Sequence, residues 1–497
     1  MVSDSLTATA ANACVLKSTG RRGVISVPTL VFLLVVTLPV MGVAAEWDPL
    51  GTKTYVGLSP ASAPDSRVPA YACAPASTVY ATLDLMQVAN ISLCNNPQTQ
   101  AAWINTKIAA AQLGISRGAY LPTLGLSVAQ QRNHANPNPL GGSPNTESET
   151  NVSLTLQYLL LDFGGRGAQA ESDKQALFAA DFSQDADIQS VLFAAIQDYY
   201  DLLATQEAVT ADKESVRSNQ AAYDAAVARH NAGTATIADV LQAKTALSQA
   251  LLTLTQTQGA LTTAHGTLAN VMGLPADTSF SIQPVSSEPM NMKDDANLKD
   301  LIASAIAARP DLAAAQAAIK SAQASVIVAQ SAGLPTLSLF ATSQYIHSTA
   351  AGTEHDTVYG LNLSVPLFSG FTTTYQVHLA KAELESAITQ SEQIQNQVSL
   401  DVFQAYTALI TAENALEAAE DLLKSAQASA QVAIGRYKAG VGDILDVLSA
   451  NAALVSAQEQ EIQNRYNLYI ARTSLAKAIG SLDVGNLGSR PLSSGGQ

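Results

Sequence analysis

The sequence is short of charge, of aromatic rings and of cysteine. Only 13% of its 497 residues are charged and 5% are aromatic, and the balance is acidic, 41 Asp and Glu against 26 Lys and Arg, for a net charge of −15. That sign excludes nucleic-acid binding through an overall basic field, because polyanions are held by basic surfaces. Beyond residue 46 no run of about 18 consecutive apolar residues occurs, so no helix is expected to cross a bilayer. The six histidines, His134, His230, His265, His347, His355 and His378, are scattered without metal-ligand spacing. No Ser-His-Asp set, phosphate loop or carboxylate pair in a cleft is recognisable either. Neither a metal, a cofactor nor catalysis is expected.

The ends carry more information. Arg21-Arg22 precede an apolar run over residues 24–43, and Val43-Ala44-Ala45 supplies the small residues of a cleavage site, so residues 1–45 read as an export signal. The alternative is a retained membrane anchor, since the run is long for a signal. No cysteine directly follows it, so a lipoprotein acylation site is not expected. Residues 46–80 form an extended Pro- and Ser-rich segment, and residues 482–497 a tail. Cys73 and Cys94 remain after cleavage, and an oxidising compartment favours a disulfide between them over two free thiols. Such a bond is worth on the order of 3 kcal/mol.

Proline and glycine are also missing where they would be informative. None occurs over residues 168–230 or 371–434. These two gaps belong to a duplication. Asn96-Pro97 answers to Arg309-Pro310 and Leu121-Pro122-Thr123-Leu124 to Leu334-Pro335-Thr336-Leu337, at a constant offset of 213 (310 − 97). Ala232-Gly233 answers to Ala439-Gly440, Asp239-Val240-Leu241 to Asp446-Val447-Leu448 and Gly273 to Gly480, at an offset of 207 (480 − 273). One deletion of six residues between Pro335 and Phe368 accounts for the change. The repeats span residues 81–280 and 298–481, joined by a linker at 281–297, and each is too long for a solenoid unit.

Each repeat reads as helix, strand, strand, long helix, turn, helix. Residues 83–118 are helical until Pro122 forbids continuation. Leu124, Leu126 and Val128, and Val152, Leu154, Leu156 and Tyr158, alternate with small or polar residues, a period of two that marks strands at 123–130 and 151–158. The second repeat shows the same with Leu337 and Leu339, then Tyr359, Leu361, Leu363 and Val365. Long polar loops are expected between paired strands. The uninterrupted helices would reach about 95 Å at 1.5 Å per residue. Val191, Ala195, Tyr199, Leu202 and Leu203, matched by Val398, Val402, Tyr406, Leu409 and Ile410, give them coiled-coil seams. Each long helix ends at a glycine turn with a preceding basic residue, Arg229 or Arg436. Asp239 and Asp446 then stand seven or eight residues into the following helix, beyond the first turn where the dipole favours an acid.

Four strands cannot close a barrel, and strands of eight to ten residues suit a tilted bilayer crossing. An exported chain with no spanning helix therefore points to an outer-membrane β-barrel assembled from several chains, apolar faces to lipid, with the long helices projecting as a second tube. Three chains would supply twelve strands. The duplication, Asn95-Asn96-Pro97, Arg309-Pro310-Asp311, Tyr120-Leu121-Pro122, Gly333-Leu334-Pro335, Leu161-Asp162-Phe163-Gly164-Gly165 and Arg436-Tyr437-Lys438-Ala439-Gly440 give the chain a resemblance to the TolC-like outer-membrane efflux proteins over nearly all of its mature length.

The resemblance implies a mainly α fold with a small β part: a homotrimer whose twelve-stranded outer-membrane barrel continues into a periplasmic helical barrel. Its turns, with Arg229, Ala232, Gly233, Thr234, Arg436, Ala439, Gly440 and Val441, would meet a periplasmic adaptor protein engaged by an inner-membrane transporter. Asp446 would stand in an acidic ring at the pore constriction. A second ring is lost at Ser449 or moved to Asp443. Tyr437 and Asp239 would share a gate-holding hydrogen bond, with Gly442 where the family has an assisting arginine. Asp239 and Asp446 as partners of Arg229 and Arg436, and Tyr437 as a packing residue, stay open as alternatives. The exported cargo would be a type I secreted protein or small toxic compounds. A periplasmic coiled-coil adaptor or rod without a pore is the competing function, and a surface adhesin another.

Overall fold

Four strands, eight α-helices and a short 3-10 helix (Thr52–Tyr55) are described in the computed structural model, which covers residues 48–56, 82–135, 145–284 and 297–483. The expected export signal, most of the Pro- and Ser-rich segment, Cys73, most of the linker and the tail lie outside the described residues. The described residues from Leu50 onwards belong to one unit.

The first repeat comprises α1 (Leu85–Asn95), α2 (Pro97–Gly118), β1 (Thr123–Ala135), β2 (Asn145–Leu161), α3 (Gly165–Asn231) and α4 (Ile237–Val271). The second comprises α5 (Leu298–Ala308), α6 (Pro310–Ser331), β3 (Thr336–Ser348), β4 (Gly352–Ser364), α7 (Thr372–Lys438) and α8 (Ile444–Ala478). Every helix of one copy maps onto its counterpart end for end, at 213 before the hairpins and at 207 after them. The six-residue deletion falls between the paired strands, where residues 136–144 are answered by 349–351 alone.

Three sequence expectations need correction. Residues 83–118 are not one helix: Pro97 and Pro310 sit at the first position of α2 and α6, where a missing N–H costs nothing, and Asn96 caps α2 by accepting from Gln98 N at 2.8 Å. The strands are 13 to 17 residues long, because the polar stretches read as loops continue the ladder. Polar residues at both faces of a strand end hide the period of two. Finally, α6 is long and apolar enough to cross a membrane by length and composition. Its apolar residues are alanines together with Leu312, Ile319, Val326, Ile327 and Val328, and it packs between α3 and α7 as α2 packs on α3.

The strands form one antiparallel sheet in the order β1-β2-β3-β4. Leu124 opposite Leu156, Leu126 opposite Leu154, Leu337 opposite Leu363 and Leu339 opposite Leu361 collect the apolar side chains on one face. Ser127 and Ser153, Ser338 and Asn362 share the other, as alternation demands. Leu159, Phe340, Ile346 and Val358 also fall on this second face, the Phe340 ring set against Gly360 across the strand pair.

The long helices have 67 residues each, about 100 Å at 1.5 Å per residue. The expected seam is buried in α3 at Val191, Ala195, Tyr199, Leu202 and Leu203, and in α7 at Val398, Val402 and Leu409, whereas Ile410 is exposed. The largest cluster joins the copies, packing Tyr199, Tyr200 and Leu203 of α3 against Ile462 and Tyr466 of α8. Arg309 welds the start of α6 to α7, donating to both Asp311 oxygens and, at 2.7 Å, to Asp401. In the first copy no cation stands at that place: Asn96 Nδ2 donates to Val271 O of α4 at 2.9 Å, and Gln98 Nε2 donates to Asp187 of α3 at 2.8 Å.

Candidate functional site

Both long helices end in the same way. Gly233 (φ 76°) and Gly440 (φ 80°) take the left-handed conformation that lets a chain turn out of a helix, which a side chain would disfavour. Thr234 N then donates to Arg229 O at 2.9 Å and Val441 N to Arg436 O at 3.0 Å, the backbone pattern that satisfies a helix's last carbonyls. Ala232 and Ala439 hold the cap position before each glycine. The two turns lie side by side over a shared apolar cluster of Ala226, Val240, Tyr437, Ile444 and Val447.

Beyond the turns the copies diverge. Thr236 caps α4: its hydroxyl accepts from Asp239 N at 3.2 Å, while the Asp239 carboxylate accepts from Thr236 N at 2.8 Å. This reciprocal box satisfies two orphan amides. In α8 the cap is Asp443, which accepts from Leu445 N at 3.3 Å. Asp446 makes no return bond and reaches Arg436 at 3.9 Å, both side chains more than half exposed. Gly442 is tightly enclosed, since a Cβ there would come within 2.9 Å of Tyr437 N and 3.0 Å of Arg436 Cβ. Its counterpart Ala235 carries a Cβ.

Arg229 leaves the first copy and crosses to the second. Its guanidinium lies 4.0 Å from the centre of the Tyr437 ring and donates to the Tyr437 carbonyl oxygen. A cation over an aromatic face is attracted by the ring quadrupole. Between α7 and α8, Arg436, Asp446 and Ser449 line an open groove together with Ala428, Ala433 and Ala450.

Higher up the same seam, Glu207 of α3 accepts from Arg465 and from Tyr466 Oη at 2.7 Å. Tyr200 packs against Tyr466 and Tyr469 with ring centres 6.1 and 5.3 Å away. Burial, and then the Asp212 charge across the seam, raise the Glu459 carboxyl above its ordinary value.

The profile of the outer membrane efflux protein family matches residues 88–274 and 301–481, one match per repeat. The chain belongs to the outer membrane efflux protein family. It is accordingly an outer-membrane protein with a periplasmic helical extension. Protein CyaE of Bordetella pertussis is 27% identical over 82% of this chain and 86% of its own length. The outer membrane efflux protein BepC of Brucella suis is 26% identical over 79% and 84%. The crystal structure of the CmeC outer membrane channel of Campylobacter jejuni superposes with a TM-score of 0.73, 19% identity, and coverage of 85% and 95%.

Within this family fold, the site residues expected from sequence are partly reassigned. Asp239 and Asp446 are not deep in their helices: each is the third residue, inside the first turn, because α4 and α8 begin only after Thr236 and Asp443. Helix dipole and capping therefore account for their position, and for Asp239 they also occupy the carboxylate. Tyr437 is not hydrogen bonded to Asp239 within the chain. It is buried, and its partner is Arg229. Asp443 serves as a helix cap, while Asp446 and Ser449 share the groove with Arg436. Cys94 is buried on α1, and its expected partner Cys73 lies outside the described residues. Sequence reasoning missed the Arg229 contact, the Glu207–Arg465–Tyr466 bridge and the Arg309 fork. Arg309 beside Asp311 was visible as a motif, but its second carboxylate, Asp401, is supplied by folding.

Proposed function

We propose that three copies of this chain close into an outer-membrane export duct, with twelve strands forming the barrel and the long helices a periplasmic tunnel. The observation that carries this reading is the uncovered rim of the single chain. The outer strands β1 and β4 are exposed along their length, with Leu124, Val128, Tyr359, Leu361 and Leu363 open to the surroundings. Edges of this kind are stable when paired and when the apolar face meets lipid.

In the duct the two turns stand at the far end of the helices from the strands. They are the surface for a periplasmic adaptor protein and its inner-membrane transporter, with Arg229, Ala232, Gly233 and Thr234 on one turn and Arg436, Ala439, Gly440 and Val441 on the other. Asp446, whose carboxylate no cap consumes, is the residue for an acidic ring at the constriction, selecting cations. Asp443 and Ser449 flank it. A disulfide between Cys73 and Cys94 would tie the segment before the first repeat to α1. The duct is a passage and no catalyst, and its cargo is a type I secreted protein or small toxic compounds, chosen by the transporter.

The test is conductance in planar bilayers with Asp446→Ala. Cation selectivity should fall and block by divalent cations should be relieved. Channels of unchanged selectivity would remove Asp446 from the constriction, and failure to form channels by the unaltered protein would remove the duct.

A further inference from the structure

We infer that Arg436 of one chain stacks on His230 of the partner subunit, as the intermolecular counterpart of the Arg229–Tyr437 contact inside each chain. The inference rests on the proposed ring of three chains and adds to it a specific pair of residues that the ring brings together.

The argument begins with the duplication. Helix α3 (Gly165–Asn231) maps onto α7 (Thr372–Lys438), and α4 (Ile237–Val271) onto α8 (Ile444–Ala478), without a shift. Under that mapping Arg229 becomes Arg436, and Tyr437 is the image of His230. Inside the chain, Arg229 at the end of α3 covers the ring at the end of α7 at 4.0 Å and donates to its backbone carbonyl. In a closed ring of duplicated chains, the step from the first copy to the second is followed by a similar step onto the first copy of the next chain. That step carries Arg436 onto the ring and carbonyl of His230 of the partner subunit.

The single chain leaves both ends of this contact open. Arg436 is 58% exposed and held only by the 3.9 Å contact to Asp446. His230 is exposed, with Nδ1 3.1 Å from Ala235 O, which leaves the face of the imidazole uncovered by that contact. The flanking surfaces agree. Phe403, Leu422 and Val432 of α7 and Leu241 and Leu251 of α4 are exposed, whereas among the described residues no large apolar side chain of α3 is exposed, and Leu445 alone on α8. The exposed rows lie on the two helices that a next chain would cover. Phenol is among the rings that attract cations best, so the contact between chains is the weaker member of the pair.

The test uses the full chain in detergent-solubilised outer membranes, with a short bis-maleimide and two double variants. His230→Cys with Arg436→Cys should give a covalent ladder up to three chains, while Arg229→Cys with Tyr437→Cys should be linked within one chain and stay at monomer size. The unaltered protein, with its native cysteines, is the reference for background. Glutaraldehyde on the same samples reports the assembly independently. Trimers by glutaraldehyde without a ladder from the 230/436 pair would overturn the inference and leave the duct standing. Monomers alone by glutaraldehyde would overturn the trimer and the inference with it.

Discussion

The seam between α3 and α8 and the exposed faces of α7 and α4 are the same surface twice, once filled and once bare. In the filled seam Glu207 meets Arg465 and Tyr466, and Tyr200 lies among Tyr466 and Tyr469. The corresponding residues on the bare faces are Asn414, Gln258, Gly259, Thr407 and Thr262. Aromatic rings and a charge-assisted hydrogen bond have been replaced by amides, hydroxyls and a hydrogen atom. A duplicated chain that closes by pairing these bare faces acquires two kinds of joint, strong within a chain and weak between chains. Each chain would then move as one stave.

The largest effect in that comparison should come from Arg309→Ala. It leaves the Asp311 and Asp401 carboxylates facing each other, partly buried, with no cation between them. Losing one partner of such a group costs about 3 kcal/mol, read as a fall in the midpoint of thermal unfolding in detergent. The mirror change, Asn96→Ala, removes two neutral bonds, the cap to Gln98 N and the bond to Val271 O, and should cost less, about 2 kcal/mol. Equal losses would mean that the two junctions are not built differently.

Next in size, Gly442→Ala should disturb the second turn, because a Cβ there meets backbone atoms at 2.9 and 3.0 Å. Ala235→Gly in the first turn should leave conductance unchanged. Arg229→Ala should raise closed-state conductance more than Tyr437→Phe, since the ring and the carbonyl, and not the hydroxyl, receive the guanidinium. A larger effect from Tyr437→Phe would return the gate to a hydroxyl bond.

The smallest effect is one of pH. Glu459 sits on the filled seam with its carboxyl raised, first by burial and then by Asp212. The folded state therefore holds this proton more tightly than the unfolded chain, whose carboxyl titrates near 4.5. Stability from this group is complete below that value and is lost as the pH rises through the folded value, so mild acid should tighten the seam. Glu459→Gln should flatten that slope in thermal unfolding measured between pH 7 and 4.

Much of the architecture was legible because duplication prints each element twice. The glycine turns, the gap of Pro and Gly and the alternating leucines were all visible in residue order. The strand ends were not, because Gln130, Gln131, Arg132 and Asn133 are polar on both faces, and a ladder open to water tolerates that. The starts of α4 and α8 at Thr236 and Asp443 were legible, but the depth of Asp239 and Asp446 was overestimated; each is the third residue of its helix. The partner of Tyr437 was not legible at all. Arg229 is 208 residues away in the chain, and only folding brings the ends of α3 and α7 together.

The most direct measurement mixes unaltered chains with Asp446→Ala chains before insertion and records single channels in planar bilayers. Three chains contributing one carboxylate each to a common neck predict four discrete classes of cation selectivity, stepping down with each altered chain. A single class at every mixing ratio, or a number of classes other than four, would contradict the account.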